Sequence, residues 1–175
     1  MIVLKKIFFK SDDGSEETVI FGIPESEKEF LEMYKIRHDV YLKHDYIYGE
    51  DYPEGIEKDE YDDGRSIYFI ASVNGSVIGS ARLIKDDVLP IKKDCFDFED
   101  PERMKNISPS KIAEIGRLVS KKFEYKEGAF VPRHVVMLGL FYAIVSYSLQ
   151  NDVVAGYAFV KKSLYEMIAN NPTSN

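Results

Sequence analysis

The stretch SIYFIASVNGSVIGSARLI, residues 66–84, decides the fold. Residues 66–73 and 76–84 are rich in β-branched and aromatic residues, and Asn74-Gly75 lies between them. An Asn-Gly pair between two such runs is the strongest short signal for a tight hairpin, because both residues accept positive φ angles. The sequence therefore predicts an antiparallel hairpin in the middle of the chain.

The residues before this hairpin predict a second hairpin and a helix. Residues 2–9 and 18–23 are β-rich runs separated by the polar turn 11–15, and Pro24 ends the second run. Ser26 and Glu29 then have the spacing of a capping box. Apolar residues and Arg37 recur behind it every three or four positions, which predicts a helix that carries Arg37 on its packed face.

The residues after the hairpin alternate strands and helices. Residues 112–119 predict a central strand, in which Gly116 indicates a bulge or a close backbone approach. The helix predicted for 132–150 is apolar on every side, so we expect other elements to cover it. A strand over 153–159 and a closing helix over 161–169 follow. The order predicts one α+β domain, residues 1–175, with a single mixed and mostly antiparallel sheet.

Composition excludes several classes of function. The 175 residues carry a net charge of −7, which disfavours a protein that neutralises nucleic-acid phosphates. One cysteine and three histidines favour neither a disulfide framework nor a cysteine-rich zinc site, and we predict no metal. The uncharged run 135–151 lies at the lower length limit for a bilayer span, and we interpret it as a buried helix. A reducing cytoplasm fits this composition.

Acidic residues are concentrated in one loop, and two interpretations of it stay open. Residues 39–63 hold ten acids against two bases, interrupted by glycine and proline. A solvated acidic loop is one interpretation, and a functional loop is the other. An EF-hand is excluded, because Tyr61 and Ile70 occupy positions where that loop needs ligands.

Basic residues dominate the other end of the chain. Residues 1–116 hold 16 bases and 26 acids, whereas residues 117–175 hold 7 bases and 4 acids. Four of these bases, Lys121, Lys122, Lys126 and Arg133, follow the central strand or begin the apolar helix. They predict a docking site for a phosphate or an acidic partner. Charge that serves solubility alone is the alternative.

Four short motifs in register resemble one family. They are YKIRHDVY (34–41), Glu57-x-Asp59-x-x-Asp62, SARL (80–83) and AEIGRLV (113–119). Together they resemble the acyl-homoserine lactone synthases and the long-chain N-acyl amino acid synthases, a branch of the GNAT N-acyltransferase superfamily. The resemblance covers about residues 34–160.

The resemblance implies transfer of a fatty acyl group to the amine of a small metabolite such as an amino acid. The acyl donor would be acyl carrier protein or an acyl-coenzyme A, used as a co-substrate, with no tightly bound cofactor. It also implies a GNAT-like fold with helices on both faces of the sheet and a V-shaped split between central strands, in which the phosphopantetheine arm lies.

The family's functional residues map onto named positions of this chain. The resemblance implies an electrostatic cluster at the acceptor site, made by Arg37, Glu57, Asp59, Asp62 and Arg82. It also implies an ion pair between Glu114 and Arg117, which an ideal strand forbids unless Gly116 provides a bulge. Arg82 is predicted to be a partly buried partner of the acidic loop.

The chemistry adds roles to these positions. An amine attacks a thioester only when neutral, so we expect Asp62 or Glu57 to act as the base. The backbone N–H groups of Leu118 and Val119 are predicted to face the thioester oxygen. Phe141, Tyr157 and Phe159 are predicted to line the acyl pocket.

Departures from the family pattern leave two alternatives. Residues 120–129 lack the glycine-rich motif of acetyl-coenzyme A enzymes, which favours a carrier protein as donor, and the absence of tryptophan favours an amino-acid acceptor over lactone synthesis. The family's final pair of strands has no counterpart in residues 171–175. The alternatives are an acetyl-coenzyme A-dependent acetyltransferase and a catalytically silent domain that binds a carrier protein or a lipid.

Overall fold

A computed structural model describes residues 1–10, 14, 16–95, 99–126 and 129–160. The strands and long helices are β1 (Ile2–Lys10), β2 (Glu16–Ile23), α1 (Glu27–Lys43), β3 (Ser66–Val73), β4 (Ser76–Ile84), β5 (Ile112–Ser120), β6 (Glu124–Lys126), β7 (Ala129–Phe130), α2 (Arg133–Gln150) and β8 (Ala155–Ala158).

Six of the strands form one sheet in the order β1-β2-β3-β4-β5-β8, and the two short strands β6 and β7 form a separate hairpin. All neighbours in the large sheet are antiparallel except β5 and β8. The predicted α+β class with one mixed sheet is confirmed.

Local signals placed the first four strands correctly. Asn74 and Gly75 have φ angles of 51° and 76°, as a tight hairpin turn requires. The capping box that begins α1 is also present, with Ser26 accepting from the Glu29 backbone and Glu29 accepting from the Ser26 backbone. The predicted closing helix over 161–169 and most of the predicted turn 11–15 lie outside the described residues.

The two long helices pack on opposite faces of the sheet. Side chains of β3 alternate between them, since Tyr68 and Ile70 join the cluster under α1, while Phe69 and Ala71 join the cluster under α2. The α2 contact is close, because a Cβ on Gly139 would lie 2.1 Å from Cζ of Phe21. A third apolar cluster lies on the α1 face near the start of β5, formed by Tyr61, Ile84, Leu89, Ile91, Met104, Ile112 and Tyr157.

The central strand β5 separates from one of its neighbours. Its pairing with β4 continues to Ser120, whereas its described pairing with β8 runs only from Ile112 to Ile115. Beyond Ile115 the described part of β8 therefore leaves the edge of β5 free, which is the expected V-shaped split.

A bulge lies in β5 just past the start of this split. The register between β4 and β5 shifts by one residue between Ser80 and Arg82, and Arg117 has a φ of 51°. Arg117 is the residue with the strained backbone, whereas Gly116 does not have a positive φ. The sequence analysis therefore placed the bulge one residue too early.

Several regions differ from the sequence-based expectation. The acidic loop contains two single 3₁₀ turns, Gly49–Asp51 and Glu60–Asp62, and the β6–β7 hairpin was not predicted. Among the described residues, α2 is covered on one side only, whereas its composition predicted cover all round. No helix in the described ranges is both long and apolar enough for a membrane span.

Candidate active site

A single turn in the acidic loop orients two of the predicted carboxylates. Asp59 begins the 3₁₀ turn Glu60–Asp62, and its Oδ1 accepts the backbone N–H of Tyr61 at 2.9 Å. Asp62 reaches back to accept the backbone N–H of Asp59 at 2.9 Å. The Asp-x-x-Asp spacing is therefore a capping box, and its hydrogen bonds orient both side chains independently of the arginines.

Arg37 extends from α1 into this turn. Its two terminal nitrogens donate to the two oxygens of Asp62 at 3.0 Å each, and its Nε donates to Glu57 at 2.5 Å. Arg37 and Glu57 are each 1% exposed. The paired geometry is the strong bidentate arrangement that a planar guanidinium makes with a carboxylate.

Two more arginines complete the cluster from the sheet. Arg82 on β4 donates to both oxygens of Asp59, at 2.6 and 2.8 Å, and to Asp62 at 3.0 Å. Arg117 on β5 donates from Nε to Glu57 at 3.1 Å and from Nη2 to Asp59 at 2.5 Å. The bulge gives Arg117 its direction, because a bulged residue is turned away from the regular alternation of the strand.

The three arginines and three carboxylates form one network, which we call the charge cluster: Arg37, Glu57, Asp59, Asp62, Arg82 and Arg117. Its formal charge is zero, so the burial of six charges is compensated within the cluster. The structure thus brings together five residues that the resemblance placed at the acceptor site, and it adds Arg117 to them.

The charge cluster keeps Asp62 ionised. Burial alone would raise the pKa of Asp62, but the hydrogen bonds from Arg37 and the charges of Arg37 and Arg82 outweigh it and lower the pKa to about 2. Burial alone would lower the pKa of Arg37, but the hydrogen bonds and charges of Asp62 and Glu57 raise it. Tyr68 donates its hydroxyl to Asp62 at 2.9 Å. Its pKa is raised by burial first, then by the hydrogen bond with Tyr34 and by the carboxylate.

This geometry argues against the expected base. The Asp62 side chain is 2% exposed and accepts five hydrogen bonds, and the Glu57 side chain is 1% exposed and paired with two arginines. The carboxylate oxygens of Asp62 and Glu57 therefore cannot reach a substrate amine. A general base has to reach the amine whose proton it removes. The members that reach solvent are Asp59 and Arg117, with side chains 22% and 30% exposed.

Aromatic side chains flank this exposed side. The Arg117 guanidinium lies over the ring of Tyr41 at 5.6 Å. Burial raises the pKa of Tyr41 and of Tyr52, so both are neutral hydroxyls at pH 7. Sequence reasoning missed Tyr41 and Tyr52 as part of the site. The recurrence of Tyr41 on the Arg37 face of α1 was the available signal.

Glu114 lies apart from the charge cluster. Its Oε2 accepts the backbone N–H of Ile91 at 2.7 Å, whereas Arg117 pairs with Glu57 and Asp59. The implied Glu114–Arg117 pair is therefore wrong in this structure, because the bulge directs Arg117 to the loop carboxylates. Glu114 instead fixes the segment that follows β4.

The predicted acyl-pocket residues do not converge. Tyr157 belongs to the third apolar cluster on the α1 face, Phe141 lies on α2 on the other face, and Phe159 is 74% exposed. A cavity of about 230 Å³ lies beside Tyr157, with Leu89, Met104 and Ile112 in its wall. Sequence reasoning also missed Asp100, which accepts from the Tyr157 hydroxyl and from Lys92, because residues 85–110 showed no regular pattern.

The residues predicted to hold the donor are distributed as follows. Val119 is buried opposite Ser80, and Leu118 packs against the core under α2. Lys121 and Lys122 are exposed, and Lys122 lies 3.6 Å from the ring centre of Phe130. Arg133 donates to Ser120 at 3.1 Å, and the side chain of Lys126 lies outside the described atoms.

No group of three or more His, Cys, Asp or Glu side chains in the described ranges could hold a metal ion. Each carboxylate of the charge cluster is paired with arginine, and only Asp59, whose side chain is 22% exposed, also reaches solvent. The site can therefore bind charge and orient polar groups through fixed donors and acceptors.

Solved structures with a similar fold are acyl-homoserine lactone synthases. The AHL synthase LasI aligns with 87% of this chain and 77% of its own length, at 22% identity and a TM-score of 0.67. TofI, in a ternary complex with an inhibitor and MTA, aligns with 86% of this chain and 76% of its own, at 15% identity and a TM-score of 0.65. The CoA-dependent acyl-homoserine lactone synthase BjaI, with MTA, aligns with 82% of this chain and 64% of its own, at 18% identity and a TM-score of 0.60. These likenesses confirm the expected GNAT-like fold.

Comparison at the level of sequence gives the family. No curated protein matches this chain. The model of the N-acyl amino acid synthase FeeM family matches residues 32–168, which include all of the charge cluster and the split strand β5. Because this match spans most of the chain, the protein belongs to the N-acyl amino acid synthase FeeM family and is an N-acyltransferase.

Proposed function

We propose that this enzyme transfers a fatty acyl group from a thioester of acyl carrier protein or coenzyme A to the amine of an amino acid. The observation that carries the proposal is the charge cluster, which presents one carboxylate and one guanidinium to solvent close to the split in the sheet. An amino acid has the complementary pair of charges. Asp59 would accept hydrogen bonds from its ammonium, and Arg117 would bind its carboxylate.

Each part of the cluster has a role in this proposal. Arg37, Glu57 and Asp62 are positioning residues, because they are buried and hold Asp59 and Arg117 in place. Arg82 binds both oxygens of Asp59 and fixes the direction in which that carboxylate accepts. Asp59 has a lowered pKa, since the hydrogen bond from Arg82 and the charges of Arg117 and Arg82 outweigh its burial. It therefore orients the amine, and the amine proton leaves through solvent water.

The free edge of β5 would serve the donor thioester. Attack by the neutral amine forms the new C–N bond and a zwitterionic tetrahedral intermediate, whose nitrogen loses a proton to solvent water. Collapse of the resulting anion breaks the C–S bond and expels the carrier thiolate, which takes up a proton. Consecutive N–H groups of a strand face opposite edges, and the N–H of Lys121 donates to Ile78 of β4, so the N–H of Val119 also faces β4. The N–H of Leu118 faces the β8 side and is the donor that we propose for the oxyanion. Lys121, Lys122, Lys126 and Arg133 follow this edge and would bind the phosphate arm or the acidic surface of a carrier protein.

The two alternatives make different demands on the structure. If the protein were a silent binding domain, the acids near Asp62 would be expected to point into solvent. Asp62 is instead buried and paired with Arg37. This observation disfavours the silent domain, and the chain length of the preferred donor separates the long-chain enzyme from an acetyltransferase.

The test combines product discovery with a matched pair of variants. Lipid extracts from cells that express the wild type, Asp59→Asn or Asp63→Asn are compared by mass spectrometry. Asp63 is exposed and lies just beyond the cluster, so its replacement is the control. We expect a new N-acyl amino acid with wild type and Asp63→Asn, and at least about tenfold less with Asp59→Asn. No new N-acylated species from the wild type would overturn the proposal.

Purified enzyme then decides the donor. Release of free thiol is followed with acyl carrier protein thioesters and with coenzyme A thioesters of the same chain length. We expect the carrier protein to be the better donor by kcat/KM. A preference for acetyl-coenzyme A over every longer chain would support the acetyltransferase alternative instead.

A further inference from the structure

Gly116 lies in the middle of β5, and the packing of the described residues does not require a glycine there. Gly22, Gly79 and Gly156 are the other glycines in described strands, and a Cβ on each would approach another atom to 2.1, 2.7 and 3.2 Å. A Cβ on Gly116 would meet no atom of the described residues within 4 Å. Gly116 is therefore the exception among the described strand glycines.

The backbone conformation does not require a glycine at this position either. The bulge in β5 has its positive φ, 51°, at Arg117, whereas Gly116 is not among the residues with positive φ. Glycine also weakens the interior of a strand relative to alanine, because it loses more conformational freedom on folding. A strand glycine without a conformational reason is typical of a place where a ligand comes close to the backbone.

The open space beside Gly116 is on the same face of the sheet as the charge cluster. Gly116 pairs with Arg82 across β4 and β5, and paired residues on neighbouring strands point to the same face. Arg82 binds both oxygens of Asp59, and Asp59 also accepts from Arg117, the residue after Gly116. The strand positions opposite and next to Gly116 thus carry two arginines that hold Asp59.

We propose that this space takes the side chain of the acceptor amino acid, so that Gly116 determines which acceptors the enzyme uses. The inference rests on the proposed function, in which Asp59 binds the ammonium of the acceptor and Arg117 binds its carboxylate. Both groups are bonded to the α-carbon that carries the side chain, so the side chain begins beside these two residues. The amine also has to meet the thioester at the free edge of β5, which brings the acceptor toward the strand.

The position of Gly116 along β5 fits this role. Gly116 is the first residue beyond the described pairing with β8, which ends at Ile115, and it is half-buried. An acceptor side chain in this space would remove apolar surface from water, which adds affinity. A side chain on residue 116 would occupy the same space, so its size should limit the size of the acceptor.

Purified variants with side chains of increasing size at position 116 test the inference. The ratio kcat/KM is measured with free glycine, alanine, leucine and phenylalanine as acceptors, at a saturating concentration of the preferred donor thioester. We expect Gly116→Val to lower kcat/KM for leucine and phenylalanine, relative to free glycine, by at least about tenfold, and Gly116→Ala to lower it less. Free glycine is the internal control, because it has no side chain to displace.

Ala158→Val is the matched control variant. Ala158 is exposed on β8 and pairs with Ile115, whose side chain packs against the core under α2. The added methyl groups therefore lie on the other face of the sheet, and we expect wild-type ratios among the four acceptors. Urea unfolding checks that every variant folds.

The possible failures are distinguishable. Unchanged ratios in Gly116→Val, or a wild type that uses no acceptor larger than alanine, would overturn the inference and leave the proposed function intact. An equal fall with all four acceptors and a higher KM for the donor would assign the space to the donor instead. A wild type that acylates no amino acid would overturn the proposed function, and this inference with it.

Discussion

Asp62 shows how a carboxylate in an acyltransferase site can be structural. It accepts hydrogen bonds from Arg37, Arg82, Tyr68 and the backbone of Asp59, which leaves none of its lone pairs for a substrate. The motif predicted that Asp62 lies with Arg37 and Arg82, and the structure brings these three residues together. The burial of Asp62, which argues against the expected role as base, was not predictable because burial depends on packing between distant elements.

Asp62→Asn is expected to destabilise the protein. The substitution removes one charge from a balanced buried cluster and leaves Arg37 and Arg82 without a full counter-charge. Breaking such a buried pair costs roughly 3–5 kcal/mol of unfolding free energy. Urea unfolding followed by circular dichroism measures this loss, with Asp63→Asn as the exposed control. Equal stability of the two variants would contradict the balanced cluster.

Arg117→Lys is expected to impair binding of the acceptor with little loss of stability. Arg117 is partly exposed, and lysine keeps its charge but lacks the planar pair of donors. We expect kcat/KM for the amino acid to fall by about tenfold or more, mainly through KM. Arg103→Lys is the control, since Arg103 is exposed and lies outside the cluster. A change in kcat alone would assign Arg117 to the chemical step.

At the level of elements, hairpins were predictable and bulges were not. The Asn74-Gly75 turn depends on two adjacent residues, so the sequence alone identifies it. The register of β3 and β4 shifts between Ala71 and Ser72, and this shift sets Tyr68 opposite Arg82. Counting back from an unbulged two-residue turn would instead place Ala81 there. The sequence analysis therefore missed Tyr68 as a neighbour of the charge cluster. The register shift depends on packing across the sheet, which the local sequence does not show.

The contact between α2 and β2 gives a prediction at this scale. A Cβ on Gly139 would lie 2.1 Å from the Phe21 ring, so Gly139→Ala has to displace the helix or the ring. Overpacking of this kind costs about 1–3 kcal/mol, which exceeds the gain of roughly 1 kcal/mol in helix propensity. Gly116→Ala adds the same methyl group where no atom lies within 4 Å, and serves as the control. Urea midpoints compare the two variants, and equal midpoints would contradict the close contact.

The whole molecule divides its tasks between the two faces of one sheet. The α1 face holds the charge cluster and the third apolar cluster, and the α2 face holds the largest core. The order of elements was predictable because each strand and helix has its own periodicity. The meeting of Arg37, Asp62 and Arg82 was expected only from the family motifs, since these residues are 25 and 20 positions apart in sequence.

Stability of the whole molecule is expected to fall in acid. The pKa of Asp62 is lowered from 3.8 to about 2 on folding, and that of Asp59 is also lowered. A lowered carboxylate pKa stabilises the folded state above the unfolded value, so this contribution is lost as pH falls from about 4 toward 2. For Asp62 it amounts to about 2 kcal/mol. Urea unfolding at pH 5 and at pH 3 measures the change, and equal stability at the two values would contradict it.

The turn Glu60–Asp62 has one more consequence, for local opening. The backbone N–H of Asp59 is bonded to a carboxylate that three other elements hold, α1 through Arg37, β3 through Tyr68 and β4 through Arg82. Deuterium would therefore enter this amide only when the entire domain comes apart, although it belongs to an acid-rich coil. The segment that looks most hydrophilic in the chain should be among the slowest to exchange.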